Sequence, residues 1–398
     1  MNKSTFSFRN KLFNDINFVN IALITLIAVL GVSSITPAFP KVEKALGISA
    51  QQVGLLITVF TLPGVLLTPI LGILADRIGR KKILIPSLFL FGIAGTLCAF
   101  TSNFTLLLVF RFLQGVGAAS IGSLNVTLIG DIYKGKERAA VMGYNASVLS
   151  VGTASYPAIG GVLAALGWHY PFLLPLLAIP VGLLVITSLK NPEPQNQQKF
   201  KDYLSSTWES INNVQVLGIF ITSVVTFIIL YGSYLTYFPF LLDRTFGAST
   251  VTIGILMSSM SLTTAITSSQ LGKLVARFSE KQLITIAFFL YAISLILVPL
   301  MHEIWGLLLP IVIFGVAQGM NIPSIQTLLA SLAPLEYRAA FMSLNGMVLR
   351  LGQTLGPVLM GLIYVAWGIE ATFYSGAGFA LIMIILVTLM IKKRNTDE

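Results

Sequence analysis

Arg111 and Arg350 are the residues of this chain whose setting most needs a chemical account, because each stands inside a long apolar run. A charge at the centre of a membrane helix costs about 2.5–3.5 kcal/mol on insertion scales, so it faces a cavity or a partner. Arginine keeps its proton in proteins, so neither residue can carry one across. Two readings fit. Each guanidinium lines a polar pathway, or each ties helices together through carbonyls and through Gln114, Gln353 and Asn345. None of the fifteen acidic residues shares their depth, since Asp76, Asp131 and Asp243 fall near the ends of runs. Two buried cations without a buried anion favour a neutral or anionic ligand, or proton handling at Asp76 or Asp131.

A second charged group lies in GILADRIGRKK, Gly72 to Lys82, between two apolar runs. Asp76 sits at the C-terminal end of its helix, where the helix dipole disfavours a carboxylate. It therefore needs an arginine or the positive N-terminal end of a helix from the opposite half. Arg77 or Arg80 can in turn meet Asp131. These charges either latch two parts of the molecule together or simply solvate a loop. Tyr231, Tyr234 and Tyr237 recur at helical spacing, Met257 to Thr264 is rich in thioether and hydroxyl groups, and Gln318, Asn321 and Gln326 punctuate the tenth run. Such side chains suit a broad pocket for amphiphiles, and they equally suit ordinary helix packing.

Other chemistries have little to build on. Cys98 is the single cysteine, and His169 and His302 fall in separate predicted loops, so no disulfide framework, metal cluster or histidine-based catalysis is expected. No phosphate-binding loop of Gly-x4-Gly-Lys-Ser/Thr spacing occurs, and no segment could house a soluble catalytic domain. The chain is read as no enzyme, without cofactor; a polytopic membrane enzyme is the rival from another class.

The elements that must position these residues follow from composition. The chain of 398 residues is 55% hydrophobic and only 10% charged, against roughly 25% charged in soluble domains. Twelve apolar runs, each long enough for a bilayer core of about 30 Å, are predicted at roughly 18–39, 53–73, 83–101, 104–129, 139–164, 171–189, 214–238, 250–272, 283–301, 305–330, 339–365 and 372–391. The first is too long for a signal-peptide core and lacks a clear cleavage site, so it is kept as a membrane helix. With alternation from a cytoplasmic N-terminus, 20 of the 25 basic residues fall in cytoplasmic segments, while the outer loops hold only Lys41, Lys44 and Arg244. That bias puts both termini in the cytoplasm, and the net charge of +10 reports topology rather than a nucleic-acid partner.

The chain also repeats itself. At an offset of 200 residues Gly54 returns as Gly254, Gly115 as Gly315, Arg138 as Arg338, Asn145 as Asn345, Gly152 as Gly352, Pro157 as Pro357 and Gly161 as Gly361. A degraded copy of the charged stretch, GKLVARFSEKQ, begins at Gly272, with Ala276 for Asp76 and Glu280 for Arg80. Any latch is thus expected on one side only. The expected fold is all-α and polytopic, two pseudo-symmetric six-helix bundles at 1–190 and 214–398 joined by a polar cytoplasmic linker at 191–213.

Over essentially its whole length the chain resembles the major facilitator superfamily. Gly72, Asp76, Arg77, Gly79, Arg80 and Lys81 match that superfamily's signature between helices 2 and 3, and Arg111 to Ala119, including Gln114, Gly115 and Gly117, resembles a second motif in helix 4. Gly143, Gly152, Pro157, Gly160 and Gly161 resemble the helix-5 pattern of the drug:proton antiporter branch, although Tyr156 stands where that pattern has glycine. Thr36 to Pro40 also looks like the twelve-helix efflux group. The resemblance implies a major facilitator fold and a transporter that exports hydrophobic or amphiphilic small molecules against a proton gradient, by alternating access. It assigns Gly72, Asp76, Arg77, Gly79 and Arg80 to a cytoplasmic gate, which Asp131 joins by its position, and it suggests helix 11, beginning near Arg338, as the partner of Asp76 and the helix-5 glycines as the contact between bundles. Arg111, Gln114, Arg350, Tyr231, Tyr234, Gln318 and Asn321 are the candidate pathway residues. A monomer in the inner or plasma membrane is expected, its partners being lipid, a small-molecule substrate and protons. An exporter of a specific anionic or neutral metabolite is the alternative within transport.

Overall fold

A computed structural model describes residues 15–190, 213–332 and 338–391. The expected linker at 191–213 lies outside the described residues except for Asn213. Among the described residues, twelve helices are long and apolar enough to cross a membrane: α1 (Ile16–Leu46), α2 (Ala50–Ile78), α3 (Arg80–Phe100), α4 (Phe104–Ile132), α5 (Glu137–Leu166), α6 (Tyr170–Ser188), α7 (Val214–Phe246), α8 (Thr250–Ser269), α9 (Glu280–Leu300), α10 (Ile304–Leu332), α11 (Leu344–Trp367) and α12 (Ile369–Met390). The α11 helix itself starts at Arg338. An even number of crossings leaves α1 starting and α12 ending on one side, the terminus side; the opposite side is the far side.

Most helices run past the apolar stretches that signal them, because polar end residues continue the backbone pattern. The charged stretch after Gly72 is therefore not a loop. It stays helical to Ile78, breaks only at Gly79, and resumes at Arg80. Gly79 has φ of 110°, a conformation that side-chain-bearing residues rarely adopt, which is what a turn this short demands. The second copy turns differently: Ser279 caps α9 in a reciprocal capping box with Gln282. On the far side, α1 breaks at Ser34 into a 3₁₀ turn at Thr36–Ala38 and a short helix, Phe39–Leu46. In α7 the corresponding irregularity is a π-helical stretch, Ile229–Tyr237.

The buried apolar side chains form one core that runs through both halves. In the second, Tyr234 stacks between Phe238 and Phe314, with ring centroids 5.0 and 4.9 Å apart, and Tyr291 leans on Phe314 at 4.8 Å. Large apolar side chains such as Leu66, Phe100, Leu166, Trp367 and Leu389 are exposed around the perimeter. In water such a surface would drive association; in a bilayer it is the normal outer face. The halves meet chiefly where α2 runs along α11 and α5 along α8.

Candidate functional site

The seam between the halves obeys the sequence repeat. A Cβ on Gly254 would collide with the carbonyl oxygen of Pro157, and one on Gly54 would stand 3.5 Å from Cβ of Pro357. Gly161 likewise leaves no room against the Thr250 carbonyl, and Gly361 lies over Gln51. Hydroxyls stitch the same surface: Thr58 donates to the Thr354 carbonyl at 3.2 Å, Thr61 and Thr354 share a bond of 2.9 Å, and Ser258 accepts from the Ala158 amide at 3.0 Å. Thr250 donates to the Gly161 carbonyl at 2.9 Å.

Two ion pairs close the far end of this seam. Lys44 meets Asp243 at 2.8 Å, and Arg244 meets Glu43 at 2.6 Å. The acid–base dipeptides at 43–44 and 243–244 are 200 residues apart, so each half offers its acid to the other's base. Tyr364 also accepts from Arg244. Among the described residues, every hydrogen bond between the halves lies between this clamp and Thr61. Further toward the terminus side the halves still touch where Arg350 and Gly346 of α11 approach Gly64 and Thr68 of α2.

At the terminus side the expected charge cluster forms within one half. Arg80, 8% exposed, bonds both Asp76 and, at 3.0 Å through Nε, Asp131. Asp76 thus finds its cation one helical turn on. Its expected partner from the other half, the start of α11 at Arg338, lies outside the described side chains. Arg77 is exposed, and Gly72 is an interior, half-buried residue of α2. Nearby, Tyr133 donates to Asp15 at 2.5 Å, tying the α4–α5 connection to the start of α1. Burial, and then the Asp15 carboxylate, push that phenol upward from its ordinary pKa.

The two membrane arginines part company. Arg111 is wholly buried in the first half, giving Nε to the Leu56 carbonyl at 3.0 Å and Nη1 to the Gly31 carbonyl at 3.0 Å and Gln114 at 2.7 Å. Its guanidinium carbon lies 4.3 Å from the Phe60 ring centroid. This is the helix-tying reading: one side chain fastens α1, α2 and α4. Arg350 is only partly buried; it donates to the neutral Gln353 at 3.1 Å, and its stem lies on Gly64 of the opposite half. Tyr231 is within electrostatic reach of it. Ser223, Phe227, Gln326, Asn345 and Leu349 line a small cavity on the terminus side of Arg350.

The remaining candidates scatter. Tyr234 is packed inside the second half, with no partner for its hydroxyl. Gln318 accepts from Tyr291, and Asn321 donates to Thr226 at 2.7 Å, both within that half. Of the helix-5 set, Pro157 and Gly161 touch the other half, Gly152 and Gly160 pack on α1, and Gly143 has open space beside it. A polar knot had no signal in the periodicity: Asn125 donates to Thr25, which donates to Asn145, joining α4, α1 and α5. The clamp residues Glu43, Lys44, Asp243 and Arg244 were legible only as part of the repeat.

A family model described as Major Facilitator Superfamily matches residues 21–249 and 241–398. Multidrug resistance protein 2 of Bacillus subtilis (strain 168) is 26% identical over 400 residues, covering 97% of this chain and 98% of its own. The bacillibactin exporter of the same organism is 26% identical over 399 residues, covering 96% and 98%. Among solved structures, a bacterial homolog of the human lysosomal transporter Spinster, in an inward-facing and occupied conformation, superposes with a TM-score of 0.79 at 17% identity, covering 94% of this chain and 96% of that one. That likeness shows the fold.

Proposed function

The chain belongs to the Major Facilitator Superfamily, and on that premise we propose that it is a secondary transporter exporting hydrophobic or amphiphilic small molecules by proton antiport. Residues 1–190 and 214–398 rock about the seam in alternating access, as a monomer in the cell membrane. The terminus side is cytoplasmic, because it collects most of the basic residues. One relative is named a multidrug resistance protein and another an exporter, and the apolar, hydroxyl-rich seam suits amphiphilic cargo.

The observation that supports the mechanism is the pair of ion pairs across the seam at the far end. The far end is clamped by two ion pairs between halves, while Asp76, Arg80 and Asp131 are satisfied within one half. A far end shut by such a clamp fits one of the two states that alternating access requires. Arg80, shared between two carboxylates, is the group whose partners protonation would alter; we assign the coupling to Asp131 or Asp76.

Everted membrane vesicles test this with the neutral amphiphile N-phenyl-1-naphthylamine. Uptake should follow an imposed proton gradient without ATP and vanish when nigericin collapses it. Uptake indifferent to the gradient would refute antiport. Asp131→Asn with unaltered proton-linked uptake would exclude that residue as the coupling site.

A further inference from the structure

We propose that the substrate binds through an anionic group (a carboxylate, sulfonate or phenolate) seated on Arg350. Such a site deepens the export reading above and rests on it. Charge accounting at mid-membrane carries it. Among the described residues, all four ion pairs lie toward the membrane faces, and none involves Arg111 or Arg350. Arg111 is enclosed, with three hydrogen bonds and an aromatic face, all from its own half, and no exposure, although its Nη2 is buried without a partner.

Arg350 is different in each respect. A guanidinium has five N–H donors in a planar fork, and Arg350 directs one of them to an uncharged amide, that of Gln353. It lies about midway along the α11 helix, on the surface where the halves meet. Gly64 opposite it is the space its stem occupies: a Cβ there would stand 3.0 Å from Cδ and 3.1 Å from Nε. Gln353 fixes one edge of the fork. An uncompensated cation in this position attracts an anion and repels a cation, and the fork matches the paired oxygens of a carboxylate or sulfonate.

Two xanthene dyes of similar scaffold and opposite charge give the test: fluorescein, anionic at neutral pH, and rhodamine 6G, cationic. Binding to the purified full chain in nanodiscs is read by fluorescence anisotropy. Wild type should bind fluorescein, Arg350→Gln should weaken it at least ten-fold, and Arg350→Lys should fall between. Rhodamine 6G binding should not weaken in Arg350→Gln. Fluorescein affinity equal in wild type and Arg350→Gln, preference of wild type for rhodamine 6G, or binding of neither dye would overturn the proposal. Should Arg350→Gln fail to fold, wild type decides alone: displacement of fluorescein by 1-naphthalenesulfonate but not by 1-naphthylmethylammonium supports it, and the reverse overturns it. The two readings fail separately. Arg350-dependent fluorescein binding without gradient-driven uptake would remove export and keep the anion site. Gradient-driven uptake of N-phenyl-1-naphthylamine with no fluorescein binding would do the opposite.

Discussion

Reversing one charge of the far-side clamp should open it, and restoring the pair with the opposite polarity should close it again. In Glu43→Lys, the 2.6 Å pair with Arg244 is replaced by two like charges. The side chains are 16% and 37% exposed, so solvent screens the contact. An exposed pair of this kind contributes about 0.2–1 kcal/mol, and a like-charge contact at 4 Å in water opposes closure by about 1 kcal/mol. The substitution therefore shifts the closed–open balance by about 1–2 kcal/mol, a factor of roughly 5 to 30 in population. Spin labels at Ala45 and Thr245, equivalent exposed positions beside the clamp, report the separation by pulsed dipolar spectroscopy. Glu43→Lys should enrich the longer distance, Glu43→Lys with Arg244→Glu should recover the shorter, and high salt should narrow the difference between variants. A distance distribution that ignores the single reversal, or a double variant that stays open, would refute the idea that these pairs hold the end shut.

The pseudo-symmetric seam should respond asymmetrically to added methyl groups. Gly254→Ala drives a Cβ into the Pro157 carbonyl, whereas Gly54→Ala meets Thr236 Cγ2 at 3.2 Å; thermal unfolding should show Gly254→Ala costing about 1–3 kcal/mol and Gly54→Ala clearly less. Arg80→Ala removes the cation common to Asp76 and Asp131, which are 48% and 29% exposed; after allowance for screening, destabilisation of about 1–2 kcal/mol is expected, and Arg80→Lys, unable to span both carboxylates, should recover only part. Arg111→Ala frees the carbonyls of Gly31 and Leu56 and should lower the melting temperature more than Arg350→Ala, because it takes three hydrogen bonds from a closed core.

How much of this was legible in the sequence depends on what each feature is made of. The twelve crossings are a property of run length, so composition located them, and the helix ends drifted outward because residues such as Asp76 and Asp243 prolong a helix without being apolar. That Arg77 or Arg80 meets Asp131 followed from their shared membrane side, and only the structure singles out Arg80, while the backbone at Gly79 was hidden by the surrounding charges. The π-helical stretch of α7 could not be read. It is a register change near Gly232, whose missing side chain lets the α11 backbone at Gly356 come close. The knot of Thr25, Asn125 and Asn145 escaped for a related reason: three single polar residues on three separate runs become a pattern only when the runs are adjacent. Arg111 and Arg350 looked alike in sequence because each is one cation in an apolar run; only neighbouring helices distinguish a fastener from an available charge.

The crossed arrangement of Glu43, Lys44, Asp243 and Arg244 has an electrical consequence. Each lip of the closed mouth presents one positive and one negative side chain, so parting the lips separates two zwitterions rather than unveiling a ring of single sign. A departing solute of either polarity meets no net charge from these four groups. In the cycle proposed above, discrimination by charge therefore falls to the depth of the membrane, where one arginine faces the seam, and the doorway itself is indiscriminate.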